Sequence, residues 1–401
     1  MRYFWHIFTL LGILVSAQAC IYPFDTDLSS EKASGAVIEG DIRIGARTII
    51  YYSRLETIKQ ITPGGSYYDF SNLYIPGEKQ NLSFTAIIEG EDGTQIKGEG
   101  SFGSCKLNTE SLPADQMYRL KIHDSTTGED YSSEWISVGE KPVIDDCRYE
   151  ISEDGEKTDF LISFHSNDNS RNYSLSYNEV WEYYALASTQ LSFDGVDIIE
   201  QKPDYANWHC WMDRRQYLNQ VVSTGIMEED RMVDYPVRSF TKADKALSVR
   251  YHLKIYVSMI SEEAYNYWVN LDKISYSGGD LFSPIPSDVK GNLHNENDPD
   301  APVYGFISAS TVDVRELVFD NAKELFYKGA ETERLYLDFM TLTDYSMSRS
   351  TLYSMGYRPY KAVYDGDNQL MYYTWIPQNC LDCRNEGGTI EEPEGWYVLF
   401  H

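Results

Sequence analysis

An apolar side chain occupies every second position of the stretch Val249-Arg250-Tyr251-His252-Leu253-Lys254-Ile255-Tyr256-Val257-Ser258-Met259. Successive side chains of a β-strand point to opposite faces of the sheet, so this period of two predicts a strand with one buried face and one face in water. Because the alternation runs unbroken over the whole stretch, it predicts that the surrounding chain folds as a β-sheet.

A helix is predicted directly after this strand. Ser261 is a residue type that caps helix N-termini, and Glu262 and Glu263 in the first turn complement the helix dipole. Apolar residues then recur at spacings of three and four and form one stripe, which consists of Ala264, Tyr267, Trp268, Leu271 and Ile274. We expect Tyr267 and Trp268 to dock this helix on the sheet.

Further strands precede the quoted stretch. Asp154-Gly155 is typical of a tight hairpin turn and leads into the apolar run 160–164. Alternation then continues through residues 173–183. Together these patterns predict a larger β-rich domain with one or two short helices, which spans residues 142–401.

Residues 34–141 contain shorter strand patterns at regular spacing. The run 82–88 precedes a turn at Gly93 and a return strand, and Tyr118, Leu120 and Ile122 alternate with polar residues. Several short strands over roughly 100 residues are typical of an immunoglobulin-like sandwich. The sequence therefore predicts a mainly β protein, in which an N-terminal immunoglobulin-like β-sandwich is followed by the larger β-rich domain.

The first 33 residues are predicted to direct export. An apolar stretch over residues 3–15 is too short to span a bilayer and fits a signal peptide that ends at residue 19. Small residues then lead to Cys20 in a pattern that resembles the lipobox at which bacterial lipoproteins are cleaved and lipidated. Ala17 stands where a lipobox normally carries Leu, so cleavage by ordinary signal peptidase is the alternative. Residues 20–33 are polar and acidic and are predicted to form a lipidated tether.

The acidic composition restricts the partners of the protein. The chain carries 62 Asp and Glu against 34 Lys and Arg, with a formal net charge of −28. This charge repels phosphate backbones, so we expect no nucleic-acid partner. The 33 Tyr and 8 Trp suit sugar or peptide ligands equally well, so composition does not choose between them.

Five cysteines follow Cys20, and they are Cys105, Cys147, Cys210, Cys380 and Cys383. An exported protein folds in a compartment that permits disulfides. We expect Cys105 to pair with Cys147, and Cys210 to pair with Cys380 or Cys383. Redox and zinc roles for the last two cysteines are alternatives. A redox role is disfavoured because a turn rather than a helix follows Cys383. A zinc site would need two further ligands, and the nearest candidates in sequence are the single pair His209-Cys210.

No catalytic motif occurs in the sequence, which lacks a Gly-x-Ser-x-Gly elbow, a phosphate-binding loop and a His-Glu-x-x-His pattern. Ser29 and Lys32 fit a Ser-x-x-Lys pattern, but they lie in the predicted tether, where no pocket would desolvate the lysine. Glu296, Asp298 and Asp300 alternate along one loop and are weak calcium candidates, although a solvated acidic loop is favoured. We expect neither enzyme activity nor a cofactor.

Motifs along nearly the whole mature chain carry a family resemblance. They are the segment 34–40 (Ser-Gly-Ala-Val-Ile-Glu-Gly), the run 173–183, Cys210-Trp211, Tyr265-Asn266-Tyr267-Trp268, the loop 281–286, Gly291-Asn292, the run 304–310, and residues 380–389 with Trp396. Together they resemble the uncharacterised lipoprotein family catalogued as domain of unknown function 4249. The resemblance implies an outer-membrane lipoprotein of Bacteroidota-type bacteria, often encoded beside TonB-dependent transporters, with no established activity.

Three classes of function are compatible with these observations. The first is an accessory binding lipoprotein, held to the outer membrane by lipid on Cys20, that works with a TonB-dependent transporter and captures a small molecule or a peptide. The second is a structural or adhesion-like surface protein whose β domains act as a spacer. The third, a glycan-active enzyme, has no motif to support it. A concave aromatic cluster in the second domain would favour the binder over the spacer.

Overall fold

The computed structural model describes residues 35–54, 82–167, 171–201, 207–215, 220–277 and 291–400. The predicted signal peptide (1–19), Cys20, the tether (20–33) and the loop 281–286 lie outside the described residues. None of the helices in the described part of the chain has the length and hydropathy needed to cross a membrane.

Strands dominate the described chain, which confirms the mainly β prediction. The strands are β1 (Ala36–Ile44), β2 (Arg47–Arg54), β3 (Ser83–Gly90), β4 (Gln95–Ser101), β5 (Ser104–Asn108), β6 (Met117–Asp124), β7 (Asp130–Ser133), β8 (Ile136–Ser137), β9 (Val143–Ile151), β10 (Lys157–His165), β11 (Asn172–Tyr184), β12 (Leu191–Phe193), β13 (Ile198–Glu200), β14 (His209–Arg215), β15 (Gln220–Ser223), β16 (Arg231–Thr241), β17 (Arg250–Met259), β18 (Leu293–Asn295), β19 (Val303–Tyr304), β20 (Ile307–Asp320), β21 (Leu342–Thr343), β22 (Tyr357–Tyr364) and β23 (Leu370–Pro377). The helices are α1 (Glu262–Ser277), α2 (Asn321–Glu324), α3 (Ala330–Met340), α4 (Arg349–Ser354) and α5 (Trp396–Phe400).

Helix α1 confirms the helix predicted after the alternating strand. The Ser261 hydroxyl accepts a hydrogen bond from the backbone N–H of Ala264 at 3.2 Å. Tyr267 and Trp268 are buried and pack with Phe306. The described chain contains five α-helices, which is more than the one or two predicted. The additional helices are short and leave little periodic pattern in the sequence. In α3 Leu337 is buried, whereas Leu335, Tyr336 and Phe339 are exposed, so the apolar residues of this helix do not mark its buried face.

Strands β1 to β8 build the first hydrophobic core. Their hydrogen-bonded order is β1-β2-β5-β4-β3-β6-β7, with β8 beside β6. Tyr52 on β2 packs against Phe84 on β3 with ring centroids 5.1 Å apart, although β5 and β4 lie between these strands in the sheet. The strand path therefore folds over on itself and encloses its core as a sandwich does.

A buried carboxylate holds β6 to β2 in this core. Asp124 accepts hydrogen bonds from the hydroxyl of Tyr52 at 2.5 Å and from the guanidinium of Arg54 at 2.7 and 3.2 Å. Burial alone would raise the pKa of Asp124, but hydrogen bonds from Tyr52 and the backbone of Thr126, together with the charge of Arg54, outweigh it. The pKa of Asp124 is therefore lowered, and the carboxylate is favoured in the folded state.

The second core lies between two sheets that face each other. One sheet has the order β16-β10-β9, and the other has the order β14-β11-β17-β20. Strand β17 is the alternating stretch of the sequence, and its residues Tyr251, Leu253 and Ile255 are buried as predicted. The ring of Phe160 on β10 lies 5.1 Å from the ring of Tyr251, so the two sheets meet through aromatic contacts.

An ion pair lies inside this second core. Glu179 is fully buried and accepts hydrogen bonds from Nε and a terminal nitrogen of Arg238 at 2.9 and 3.2 Å. The hydroxyl of Tyr251 donates to the same carboxylate at 2.7 Å. Desolvation offsets most of the attraction in such a pair, whereas removing one partner leaves an uncompensated buried charge. The second sandwich is therefore sensitive to the loss of either partner.

Strand β20 is shared by the two units. Residues 307–311 pair in parallel with β1, and residues 312–320 pair antiparallel with β17. Ile307 and Ala309 belong to the first core, whereas Phe319 belongs to the second. Strands β18 and β19 likewise pair with β7 and β1. Residues 293–311 therefore complete the first unit, although they fall within the predicted second domain, 142–401.

Gly305 allows β20 to enter this arrangement. Its φ is +102°, and an added Cβ would lie 1.9 Å from the carbonyl oxygen of Ile38 on β1. Only glycine combines that conformation with so close a backbone approach.

The C-terminal segment, which we define as residues 330–400, packs on the second sandwich. Strands β21 to β23 form a small sheet in the order β21-β23-β22. Its buried contacts with the rest of the chain are made by Ala187, Leu337, Ile376 and Cys380. The opposite side of α3 exposes Leu335, Tyr336 and Phe339, and Phe339 is 84% exposed. The segment therefore presents apolar side chains on its outer surface.

Candidate functional site

A cleft opens on the outer face of the β14-β11-β17-β20 sheet. Cross-strand pairing places Trp211, Glu182, Arg250 and Asp320 in one row across the four strands. Paired residues of antiparallel neighbours point to the same face, and alternation puts this row on the side away from the core. The cleft has a volume of about 510 Å³. We call it the Glu182 cleft. Its walls include Glu182, Tyr184, Lys245, Ser248, Arg250 and Tyr327.

Glu182 is the buried carboxylate of this cleft and is only 5% exposed. Its Oε1 lies 2.7 Å from Nε2 of His209. Its Oε2 lies 4.0 Å from Nε of Arg250, and no described residue donates a hydrogen bond to it. A buried charged oxygen without a donor is costly, and buried polar atoms of this kind normally have a partner. Oε2 is therefore a candidate ligand contact.

Two more polar groups line the same cleft. The hydroxyl oxygen of Ser248 is buried and has no hydrogen-bond partner among the described residues. The guanidinium of Arg250 lies 5.2 Å from the ring centroid of Phe400, and its 4.0 Å separation from Glu182 is too long for a hydrogen bond. The cleft therefore combines an open acceptor, an open hydroxyl and a cationic donor.

A row of aromatic rings continues from the wall of the cleft along the outer face of the sheet. Tyr184 stacks on Trp208 with centroids 4.3 Å apart and lies 4.9 Å from the ring of His209. The His209 ring in turn lies 4.2 Å from that of Trp211. The aromatic residues of this region are therefore gathered beside the polar groups of the cleft.

Ion pairs hold the rim of the cleft. Nζ of Lys245 lies 2.5 Å from Glu386 and 3.8 Å from Glu333, and it sits 5.1 Å above the ring of Tyr183. Burial, followed by the charge of Glu333, raises the pKa of Tyr327 above its usual range, so its hydroxyl stays protonated. These contacts join α3 and the residues after β23 to the sheet.

A disulfide ties the C-terminal segment to β14. Cys210 and Cys383 are bonded, with Cα atoms 5.8 Å apart. The hydroxyl of Tyr183 donates to the carbonyl oxygen of Cys383 at 2.8 Å. The expectation that Cys210 pairs with Cys380 or Cys383 is confirmed, with Cys383 as the partner.

The predicted pairing of Cys105 with Cys147 is wrong. Both are free thiols, and Cys380 is free as well. Cys105 is buried on β5 in the first core, whereas Cys147 packs on β9 against the second, so the two sandwiches keep them apart. Burial raises the pKa of both thiols to about 11, which leaves them protonated at neutral pH. The disulfide also removes Cys210 and Cys383 as zinc ligands.

The calcium candidates Glu296, Asp298 and Asp300 lie between β18 and β19, and the first two accept hydrogen bonds from protein groups. Glu296 accepts a hydrogen bond from Ser132 and lies 3.2 Å from His294, and Asp298 accepts one from the backbone N–H of Asp300 at 3.2 Å. In the part of the chain that the structure describes, no group of three or more His, Cys, Asp or Glu is placed to hold a metal ion.

Sequence reasoning did not identify Glu182, Ser248 or Arg250 as site residues. Arg250 lies on the polar face of an alternating strand, where a charged residue is ordinary. The one sequence feature that could have indicated a site at Glu182 is its position between the aromatic residues Trp181 and Tyr183. Only the register of β11 with β17 brings Glu182 and Arg250 opposite each other.

Comparison with known proteins supplies a family. No curated protein matches the chain. A solved structure of a two fibronectin type-III domain segment from chicken tenascin is similar over 55% of this chain and 88% of that chain, at 10% identity and a TM-score of 0.16, which supports no conclusion. The sequence profile of the family described as "Domain of unknown function (DUF4249)" matches residues 21–316, more than half of the chain. The resemblance noted from the sequence is confirmed, and the chain belongs to the DUF4249 family.

Proposed function

We propose that this protein is an outer-membrane surface lipoprotein, anchored through lipid on Cys20, that binds a ligand in the Glu182 cleft. In this proposal it acts without catalysis, as an accessory to a TonB-dependent transporter. The lipobox-like pattern before Cys20 supports the anchor. The family resemblance supports the link to a transporter.

The observation that carries the proposal is the cleft itself. Two buried polar atoms, Oε2 of Glu182 and Oγ of Ser248, have no hydrogen-bond partner among the described residues and share one cleft. Buried polar atoms are normally satisfied, so a site that leaves two of them open is suited to a ligand that completes their hydrogen bonds. The adjacent aromatic cluster of Trp208, Tyr184 and His209 favours a binding protein over a spacer.

The arrangement of carboxylates supports binding rather than glycan hydrolysis. Glu333 lies beside Lys245, and Asp320 accepts a hydrogen bond from the backbone N–H of Ala322 at 3.0 Å. Among the described carboxylates that line the cleft, only Glu182 has a buried oxygen without a hydrogen-bond partner. Glycosidases generally place two carboxyl groups on either side of the bond that is broken. One open carboxylate fits recognition better than bond cleavage.

The exposed side of α3 supports a protein partner. Leu335, Tyr336 and Phe339 are 63%, 48% and 84% exposed on one short helix. Exposed apolar groups of this kind are typical of surfaces that contact other proteins. A transporter is the partner that this proposal assigns to the surface.

Affinity purification from outer membranes tests the proposal. Phe400 packs beside Arg250, so a C-terminal tag would disturb the cleft. The tag is therefore inserted in the β22–β23 turn at Gly366, where an added side chain meets no atom within 4 Å. Membranes are solubilised in mild detergent, and mass spectrometry identifies co-purified proteins and the mass of the N-terminal peptide.

Recovery of an outer-membrane barrel together with an acylated Cys20 is the expected result. A protein that purifies alone and begins with an unmodified Cys20 would contradict both the anchor and the transporter partnership. A variant with Leu335→Ser and Phe339→Ser keeps the cleft and should lose the barrel, whereas a matched Val196→Ser variant on an exposed turn should retain it.

A further inference from the structure

The open groups of the Glu182 cleft form a matched pair. Oε2 of Glu182 accepts no hydrogen bond from a described residue, and Nε of Arg250 lies 4.0 Å away. A direct hydrogen bond between nitrogen and oxygen would require about 3 Å. The carboxylate and the guanidinium therefore stand beside each other with unused acceptor and donor capacity.

The charges of this pair disfavour ligands that carry a single charge. An ammonium group placed on Glu182 would be repelled by Arg250, and a carboxylate placed on Arg250 would be repelled by Glu182. Hydroxyl groups carry no charge, and each one both donates and accepts hydrogen bonds. Two adjacent hydroxyls satisfy both side chains, because one donates to Oε2 of Glu182 and the other accepts from Arg250.

The other walls of the cleft fit the same chemistry. The free hydroxyl of Ser248 can donate to or accept from a third hydroxyl. Tyr184 and Tyr327 supply aromatic surface, which packs against the C–H faces of a sugar ring. The volume of about 510 Å³ lies within the roughly 300–1,000 Å³ of small-molecule sites.

We propose that the Glu182 cleft binds a neutral carbohydrate through two adjacent hydroxyl groups that bridge Glu182 and Arg250. This inference rests on the proposed binding function and names the chemical class of its ligand. A zwitterionic amino acid, which carries both an ammonium group and a carboxylate, is the competing class.

Ligand-detected saturation-transfer NMR on the purified full mature chain tests the assignment. The probes are methyl α-glucoside, methyl α-mannoside and methyl β-galactoside, which present different vicinal diols, and glycine and n-butylamine, which present charged groups. We expect saturation transfer to at least one glycoside. Glu182→Gln and Arg250→Met should each weaken its binding about 10- to 100-fold, because each removes hydrogen bonds to a charged group.

Glu316→Gln is the matched control. Glu316 lies on β20 in the same sheet, pairs with Lys254 at 2.8 Å and does not line the cleft. Its replacement therefore changes the net charge of the protein but leaves the cleft residues in place. The glycoside signal should be unchanged in this variant. Thermal melting of each variant shows that it is folded, and Arg250→Met provides a second route to the result if Glu182→Gln is unstable.

Three results would overturn the carbohydrate assignment. The first is the absence of saturation transfer to all three glycosides. The second is glycoside binding that survives both Glu182→Gln and Arg250→Met. The third is binding of glycine or n-butylamine alone in a Glu182-dependent manner, which would leave the binding function intact and change only its ligand class. The membrane purification decides the proposed function independently of all three.

Discussion

Loss of the Cys210–Cys383 disulfide should destabilise the second sandwich strongly. The bridge joins cysteines 173 positions apart, so it closes a loop of that length in the unfolded chain. The chain-entropy relation for such a loop gives about 5 kcal/mol at 25 °C, and removing native disulfides from small secreted domains costs about 2–5 kcal/mol. We therefore expect Cys210→Ala/Cys383→Ala to lower the free energy of unfolding by about 3–5 kcal/mol.

The same change should loosen one rim of the Glu182 cleft. Cys383 begins a short 3-10 turn that ends at Glu386, the residue that holds Lys245. The carbonyl of Cys383 also accepts the hydrogen bond from Tyr183. Limited proteolysis should therefore cut the variant first between β23 and α5, a region that the bridge protects in the native protein.

Urea unfolding followed by tryptophan fluorescence measures the effect, with and without dithiothreitol. The reductant should shift the midpoint of the native protein to that of the double variant and should leave the variant itself unchanged. Thiol counting under denaturing conditions verifies that reduction is complete. A fully reduced native protein, or a double variant, that stays within about 1 kcal/mol of the oxidised protein would refute the argument that the bridge restricts the unfolded chain.

Three further predictions concern groups inside the two cores. Arg238→Met should cost about 3 kcal/mol in urea unfolding, because it leaves buried Glu179 with only the Tyr251 hydroxyl and the more distant Arg214, 3.7 Å away, as partners, whereas Glu179→Met/Arg238→Met should recover most of that loss. The folded pKa of Asp124 lies below its usual value, so its carboxylate contributes stability that is complete above the unfolded pKa of about 3.9. That contribution is lost as pH falls through the folded pKa, and Asp124→Asn should flatten the acid limb of a stability–pH curve. Gly305→Ala should cost about 3 kcal/mol or more in thermal melts through backbone strain and overlap, while Gly366→Ala at an open turn should be neutral.

One outcome would contradict each of these three predictions. If the double variant at Glu179 and Arg238 were no more stable than Arg238→Met, packing of the arginine stem rather than the weakened pairing of Glu179 would explain the loss. An unchanged acid transition in Asp124→Asn would assign the acid sensitivity to other carboxylates. Equal melting temperatures for the two glycine variants would contradict the close approach of Gly305 to β1.

Features that depend on local pattern were predictable from the sequence. The alternation around Tyr251 predicts β17, and the spacing of Tyr267 and Trp268 predicts the docked face of α1. The hairpin at Gly93 is found between β3 and β4, where this glycine has a φ of +84°. In each case neighbouring residues determine both the local conformation and the buried face.

Features that depend on distant pairing were not predictable. The parallel pairing of β1 with β20 brings Asp41 within hydrogen-bond distance of Ser308, 267 positions later, and no local pattern reports it. For the same reason, the pairing of Cys105 with Cys147 was predicted incorrectly. The two cysteines belong to different cores, and the division into two cores depends on the pairing of all the strands. The Glu182 cleft is formed by register between strands far apart in sequence, so its residues look ordinary in isolation.

The shared strand β20 has a consequence for folding under the export that we propose. A chain that crosses a membrane from its N-terminus delivers β1 to β8 first, yet Ile307 and Ala309 must arrive before the first core is closed. The second sandwich also needs β20 for one edge of its outer sheet. Both cores should therefore reach their native state late and together, after nearly all of the chain has emerged. Until then the open edge of β1 is exposed to other chains, so a chain exported as we propose should depend on chaperones more than two consecutive, self-contained domains would.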